Sequence, residues 1–155
     1  MEQLLVSLLV YATILALALW KPNAGRIFLG IFFLLMAWGV NFTITLMDPP
    51  SFVGLGSGSF IPFYRTIFTD LVGAAPVLFG VIAVAYETTV GLLILASGRR
   101  TQVGLIMGII FLMGSSPFSM STLANPVLAL ALQYLLSKPH HLSLAQQLRL
   151  RFARS

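Results

Sequence analysis

Proton chemistry in this chain has few side chains to work with. Its 155 residues hold four carboxylates, Glu2, Asp48, Asp70 and Glu87, and two histidines, His140 and His141, and no cysteine. The missing cysteines remove disulfides, thiolate metal ligands and thiol redox relays. Both histidines follow the last apolar run, so none is placed to ligate haem within a membrane, and no metal site is expected.

Glu87 stands apart by its position. It lies near the middle of an apolar run from Pro76 to Arg100, PVLFGVIAVAYETTVGLLILASGRR. A helix rising ~1.5 Å per residue needs about 20 residues to cross a ~30 Å hydrocarbon core, so this run reads as a transmembrane helix. Arg99 and Arg100 are expected in its last turn. A charged carboxylate at that depth costs roughly 3 kcal/mol on insertion scales, so Glu87 must face protein or be protonated. Gly80, Ala83, Glu87 and Gly91 recur at threes and fours, which places them along one side that another helix can approach closely.

Two chemistries follow. In one, Glu87 is a buried structural group hydrogen bonded to Asn41, Thr88 or Thr89. In the other it exchanges a proton with a lipid-soluble substrate such as a quinone, with Asp70 or Tyr86 assisting. General acid–base catalysis normally needs a second positioned group, and none is evident at the same depth, so the non-catalytic reading leads.

The elements that must hold these residues are apolar. Hydrophobic residues make up 58% of the chain and charged ones 8%, outside the range of a soluble domain. The net charge of +5 does not imply nucleic acid, because the basic residues flank apolar segments and form no patch with interleaved aromatics. The first span runs from Leu4 to Trp20. Ala16 and Ala18 mimic a signal-peptide cleavage pattern, but there is no positive n-region before the run. Lys21 to Gly25 reads as a tight polar turn, and the second span as Arg26 to Met47. Residues 48–64 form the longest break. Gly54, Gly56 and Gly58 do not make a nucleotide loop, since no strand precedes them and no lysine follows. Phe52, Phe60, Phe63 and Tyr64 suit an interfacial aromatic belt, and residues 65–75 a short interfacial helix with Asp70 near water. A fourth span is expected from Thr101 to Phe118, with Gly104 and Gly108 in GxxxG spacing, and a fifth from Ser121 to Leu136, with Asn125 and Pro126 near its start.

Together these spans define an all-α, polytopic bundle of about five transmembrane helices over residues 1–137, with a basic tail over 138–155. Ser143 and Gln146 have capping-box spacing, and Leu144, Leu148 and Phe152 recur beside Arg149, Arg151 and Arg154, so an amphipathic surface helix is expected there. Five spans put Lys21, Arg26, Arg99, Arg100, Lys138 and the tail arginines on one side and leave Arg65 alone opposite. The positive-inside rule then puts the N-terminus outside and the tail in the cytoplasm.

From Gly25 onward the order of features resembles the DoxX-like family of small bacterial membrane proteins. The similar pieces are Arg26-Ile27-Phe28-Leu29-Gly30 opening a span, a Pro/Gly/aromatic loop, Glu87-Thr88-Thr89-Val90-Gly91-Leu92-Leu93-Ile94-Leu95 ending at Gly98-Arg99-Arg100, then an apolar helix and an Asn-Pro start to the last one. The resemblance covers about four spans and makes the first helix an addition to a four-helix core. Asn41-Phe42 stands where the family pattern commonly has a lysine. The resemblance implies a bacterial inner-membrane setting linked to quinone-coupled redox assemblies. The expectation is therefore an accessory subunit packed in the bilayer against a larger respiratory or photosynthetic complex. No cofactor is required, though a bound quinone, lipid or pigment is compatible.

Overall fold

The computed structural model describes residues 2–153, without the side chains of Ser121 and Arg151, and is all-α, with no strand among those residues. Helix α1 spans Glu2–Trp20, and α2 spans Pro22–Met47 with a π-helical middle at Met36–Asn41. Two shorter helices follow, α3 at Ser51–Ser57 and α4 over residues 62–72, the second half of which, Ile67–Val72, is again π-helical. Then come α5 (Pro76–Leu95), α6 (Arg99–Ser115), a 3-10 turn (Ser121–Ala124), α7 (Asn125–Leu136) and the tail helix α8 (Leu144–Phe152). By length and composition α1, α2 and α5 can each cross a membrane, while the apolar helix ending at Leu136 is shorter. The chain is a multi-helix membrane protein.

Helices α1, α2, α5, α6 and α7 close a ring in which each packs against two neighbours, α7 returning to α1. Its core is Leu29, Phe33, Val90, Ile94, Leu105, Leu128 and Leu132, all essentially without exposed surface. Glycines set the spacing. A Cβ on Gly104 would lie 2.7 Å from the backbone nitrogen of Ile94, and one on Gly91 would lie 2.9 Å from the Gly30 carbonyl oxygen. Gly80 meets Thr45 and Phe52, and Gly108 meets Leu132 and Phe33. These small-residue positions therefore serve contacts within this chain.

Three boundaries differ from the sequence reading. Residues 23–25 are not a turn. Pro22 opens α2, its missing N–H falling where a helix has no acceptor, and only Lys21 separates the two helices. The hairpin is so tight that a Cβ on Gly25 would lie 2.5 Å from Ala18 Cα. Arg99 and Arg100 do not end α5. The chain leaves the helix at Ala96, turns at Gly98 with φ 60°, and the arginine pair opens α6. The Gly98 N–H donates to the His140 carbonyl at 2.6 Å.

Third, residues 51–72 are not simply a belt. Phe60 and Phe63 are exposed, but Phe52 and Phe68 are buried in an aromatic cluster with Phe79 and Phe118, the Phe68 and Phe118 rings 4.6 Å apart. Gly56 admits the Phe68 ring. The Tyr64 hydroxyl donates to the Gly114 carbonyl at 3.0 Å and the Ser59 hydroxyl to the Pro117 carbonyl at 2.6 Å. These contacts fold the segment over one end of the ring.

The tail folds back on the opposite end. Ser143 and Gln146 form the reciprocal capping box, Gln146 Oε1 accepting from the Ser143 N–H at 2.8 Å and Ser143 Oγ from the Gln146 N–H at 3.3 Å. Asn23 and Gln147 exchange two amide hydrogen bonds of 2.6 and 3.0 Å, which pin α8 to the start of α2. Leu148, Arg149 and Phe152 are exposed; Arg154 and the Arg151 side chain lie outside the described residues.

Candidate functional site

Glu87 sits near the midpoint of α5 and is 3% exposed. Its Oε2 accepts a hydrogen bond of 2.6 Å from Asn41 Nδ2. Asn41 reaches it because it closes the π-helical segment of α2. Phe33, Ala37, Asn41 and Thr45 follow at steps of four, and in a regular α-helix three such steps would rotate the last position about 120° off the face. The wider π turn removes that drift, so buried Phe33, Ala37 and Thr45 stay on one face with Asn41.

The other expected partners are elsewhere. Thr89 Oγ1 donates to the Ala85 carbonyl within its own helix, and Thr88 Oγ1 is buried without a hydrogen-bond partner among the described residues. Tyr86 points to α6, its hydroxyl donating to the Met107 carbonyl at 3.0 Å and its ring stacked on Phe111. Asp70 is exposed on α4 and accepts from Thr69 Oγ1. Neither Asp70 nor Tyr86 is hydrogen bonded to Glu87.

What faces Glu87 is a cavity of about 210 Å³ at the centre of the ring. Its walls carry Tyr11, Phe32, Phe33, Phe79 and Phe111, and Phe52 and Phe118 cover the end formed by residues 51–72. A cavity of about 150 Å³ with such a lining is enough to bind benzene, so this one has room for a small ring or head group. Its polar groups fall at two levels. Glu87 and Asn41 form the deep pair. Asn125 Nδ2 donates to Ser115 Oγ at 2.9 Å, both residues being buried, to form the other. Because Gly104 lies against Leu93 and Ile94, the antiparallel register sets Ser115 beside Ala83, four residues or roughly 6 Å of rise from Glu87. Tyr11 also lines the cavity, and its hydroxyl has no hydrogen-bond partner among the described residues. No group of three potential metal ligands gathers among those residues.

A second buried polar group, missed by the sequence reading, lies at the tail end. Arg26 is fully buried, and its guanidinium donates to the carbonyls of Ile94 (2.9 Å), Ala96 (2.6 Å) and Leu142 (2.9 Å) and to Asn23 Oδ1 (3.2 Å). It supplies the cation at the C-terminus of α5, where helix carbonyls lack partners. The signal lay in its place four residues after Pro22, already inside the helix instead of on the flank.

Comparisons with protein-family models, with curated proteins and with solved structures find no match. Fold and site together define a small all-α membrane protein with an internal cavity carrying a buried carboxylate–carboxamide pair.

Proposed function

We propose that the protein holds a lipid-soluble molecule in the central cavity and that Glu87 exchanges a proton with it, Asn41 fixing the carboxylate. The observation that carries this reading is the 2.6 Å Asn41–Glu87 hydrogen bond on the wall of a 210 Å³ cavity lined with aromatic rings. Ligand sites in membrane bundles have this composition, with apolar walls and a few convergent polar groups. An intramembrane carboxylate is a functional group by default. A quinone head is one molecule of suitable size, and the DoxX-like resemblance points to the same setting. All five ring helices cross the bilayer in this reading, with the tail on the cytoplasmic side of a bacterial inner membrane, in keeping with the bias of basic residues.

An accessory subunit of a larger complex is the second reading. It is favoured by an apolar groove on the outer face, lined by Trp38, Phe42, Leu46, Val77 and Val81 beside the Thr88 hydroxyl, which has no hydrogen-bond partner among the described residues. It loses the support of the glycine faces, which are occupied within this chain.

The test is purification in mild detergent with identification of the small molecules retained. Wild type is expected to keep a lipophile in near-stoichiometric amount, and Ala83→Phe, which fills the cavity wall, to lose it. An empty wild-type protein that migrates only as part of a larger assembly would favour the subunit.

A further inference from the structure

We infer that the cavity opens sideways into the bilayer between α1 and the π-helical segment of α2, and that its occupant is a single-chain amphiphile. A compact uncharged head with hydrogen-bonding capacity sits at Glu87 and Asn41, and an apolar chain leaves past Tyr11 and Val40. This rests on the cavity reading and adds the route and the chemical class of the ligand.

Val40 marks the mouth. It lines the cavity and is nevertheless 41% exposed, so the lining reaches the outer surface there. It adjoins Asn41, the partner of a carboxylate midway along α5, so the mouth lies at the depth of acyl chains and not of water. On the other side of the gap, α1 has no buried residue before Ile14; its close approach to α2 is at the hairpin, where Gly25 meets Ala18. Leu5, Val6 and Leu9 are each more than half exposed, and the edge-on contact of the Tyr11 and Phe32 rings ties this half of α1 to α2.

A second exposed lining residue, Leu55 at 38%, lies at the end covered by residues 51–72, so Val40 marks the opening that lies at mid-membrane depth. The Phe52, Phe68, Phe79 and Phe118 cluster covers that end, and Leu29, Leu105 and Leu132 fill the ring toward the other.

Head chemistry follows from the lining. Among the described residues no Lys, Arg or His lines the cavity, so a phosphate or carboxylate head would have no counter-charge there and would face Glu87. An uncharged hydroxyl or phenol can donate to Glu87 and accept from Tyr11 or Asn41, whereas a carbonyl can only accept. Glu87 Oε1 accepts nothing from the described residues, and the Tyr11 hydroxyl is unpartnered among them.

The test uses the full chain reconstituted in vesicles with a long-chain alcohol carrying a diazirine and an alkyne. Wild type is expected to be photolabelled in the peptides around Tyr11 and residues 36–44. Val40→Trp and the milder Val40→Phe, which narrow the mouth, are expected to reduce that labelling roughly ten-fold. Ile110→Trp, on the exposed outer face, is expected to leave it unchanged. Wild-type labelling that both Val40 variants leave untouched overturns the sideways route while the cavity reading stands. If wild type is not labelled at these peptides but retains a lipophile on purification, the inferred ligand class falls. No labelling and no retained lipophile defeats both the inference and the reading beneath it.

Discussion

A guanidinium without exposed surface is costly in any protein, and Arg26 offsets part of that cost with neutral partners, its Nε having none among the described residues. Its bonds to Ile94, Ala96 and Leu142 join α2, the end of α5 and the tail at one point. Hydrogen bonds to a charged group contribute about 1.5–3 kcal/mol each, and removing the donor leaves buried carbonyls unsatisfied. Arg26→Gln is therefore expected to destabilise the protein by at least about 3 kcal/mol, with Arg26→Lys intermediate because an ammonium reaches fewer of the carbonyls. Thermal unfolding in detergent measures this; an unchanged midpoint would show that water satisfies the end of α5. Asn41 works differently, orienting one carboxylate oxygen and leaving the other for the cavity.

At the scale of elements, close packing and a helical irregularity do separate work. The α5–α6 hairpin depends on Gly104, where an added Cβ meets the backbone of Leu93 and Ile94, atoms that cannot rotate away. Gly104→Ala is expected to cost about 1–3 kcal/mol, as overpacking does. Gly114→Ala, in the same helix with nothing within 4 Å, is expected to be neutral or slightly stabilising because alanine is the better helix former. Comparing the two unfolding midpoints separates the contact from the propensity, and equal effects would refute the close approach. The π-helical segment has another consequence. It carries the buried face of α2 past Ala37 to Asn41 and Thr45, and without it the carboxamide would turn away from Glu87.

Over the whole molecule the two ends of the ring are closed unlike each other, by aromatic rings at one end and by a polar clasp at the other. His140 belongs to the clasp. It is buried, its Nε2 lies 2.8 Å from the Leu135 carbonyl, and its own carbonyl accepts from Gly98. Burial pushes its pKa below the usual histidine value of 6.5; the Leu135 hydrogen bond opposes this, and the charges of Arg26 and His141 add to the lowering. The docked tail thus favours neutral His140, and the released tail takes up the proton first. His140's contribution to docking is therefore fully present above the released value of 6.5 and weakens as pH falls through it toward the lower docked value. Amide protection over residues 138–150, taken relative to the intrinsic exchange rate at each pH, is expected to be lower at about pH 5.5 than at pH 7.5, with the difference abolished in His140→Gln. Protection that does not change with pH would sink this account.

The amino-acid sequence by itself determined that the protein is helical and membrane-embedded, roughly where its main apolar helices run, that Glu87 is buried in one of them and that the tail begins with a capping box. All of these follow from local composition and periodicity, which act within a few residues. Tertiary structure alone decided what each buried polar group meets. Asn41 and Glu87 are 46 residues apart and Arg26 and Ile94 are 68 apart, so their pairing depends on which helices adjoin and in what register. Arg26 read as a flanking charge because its type matched the membrane boundary, yet an earlier helix start carried it inward. The cavity was invisible for the same reason: it is the space left where five helices fail to touch, and no single helix encodes it.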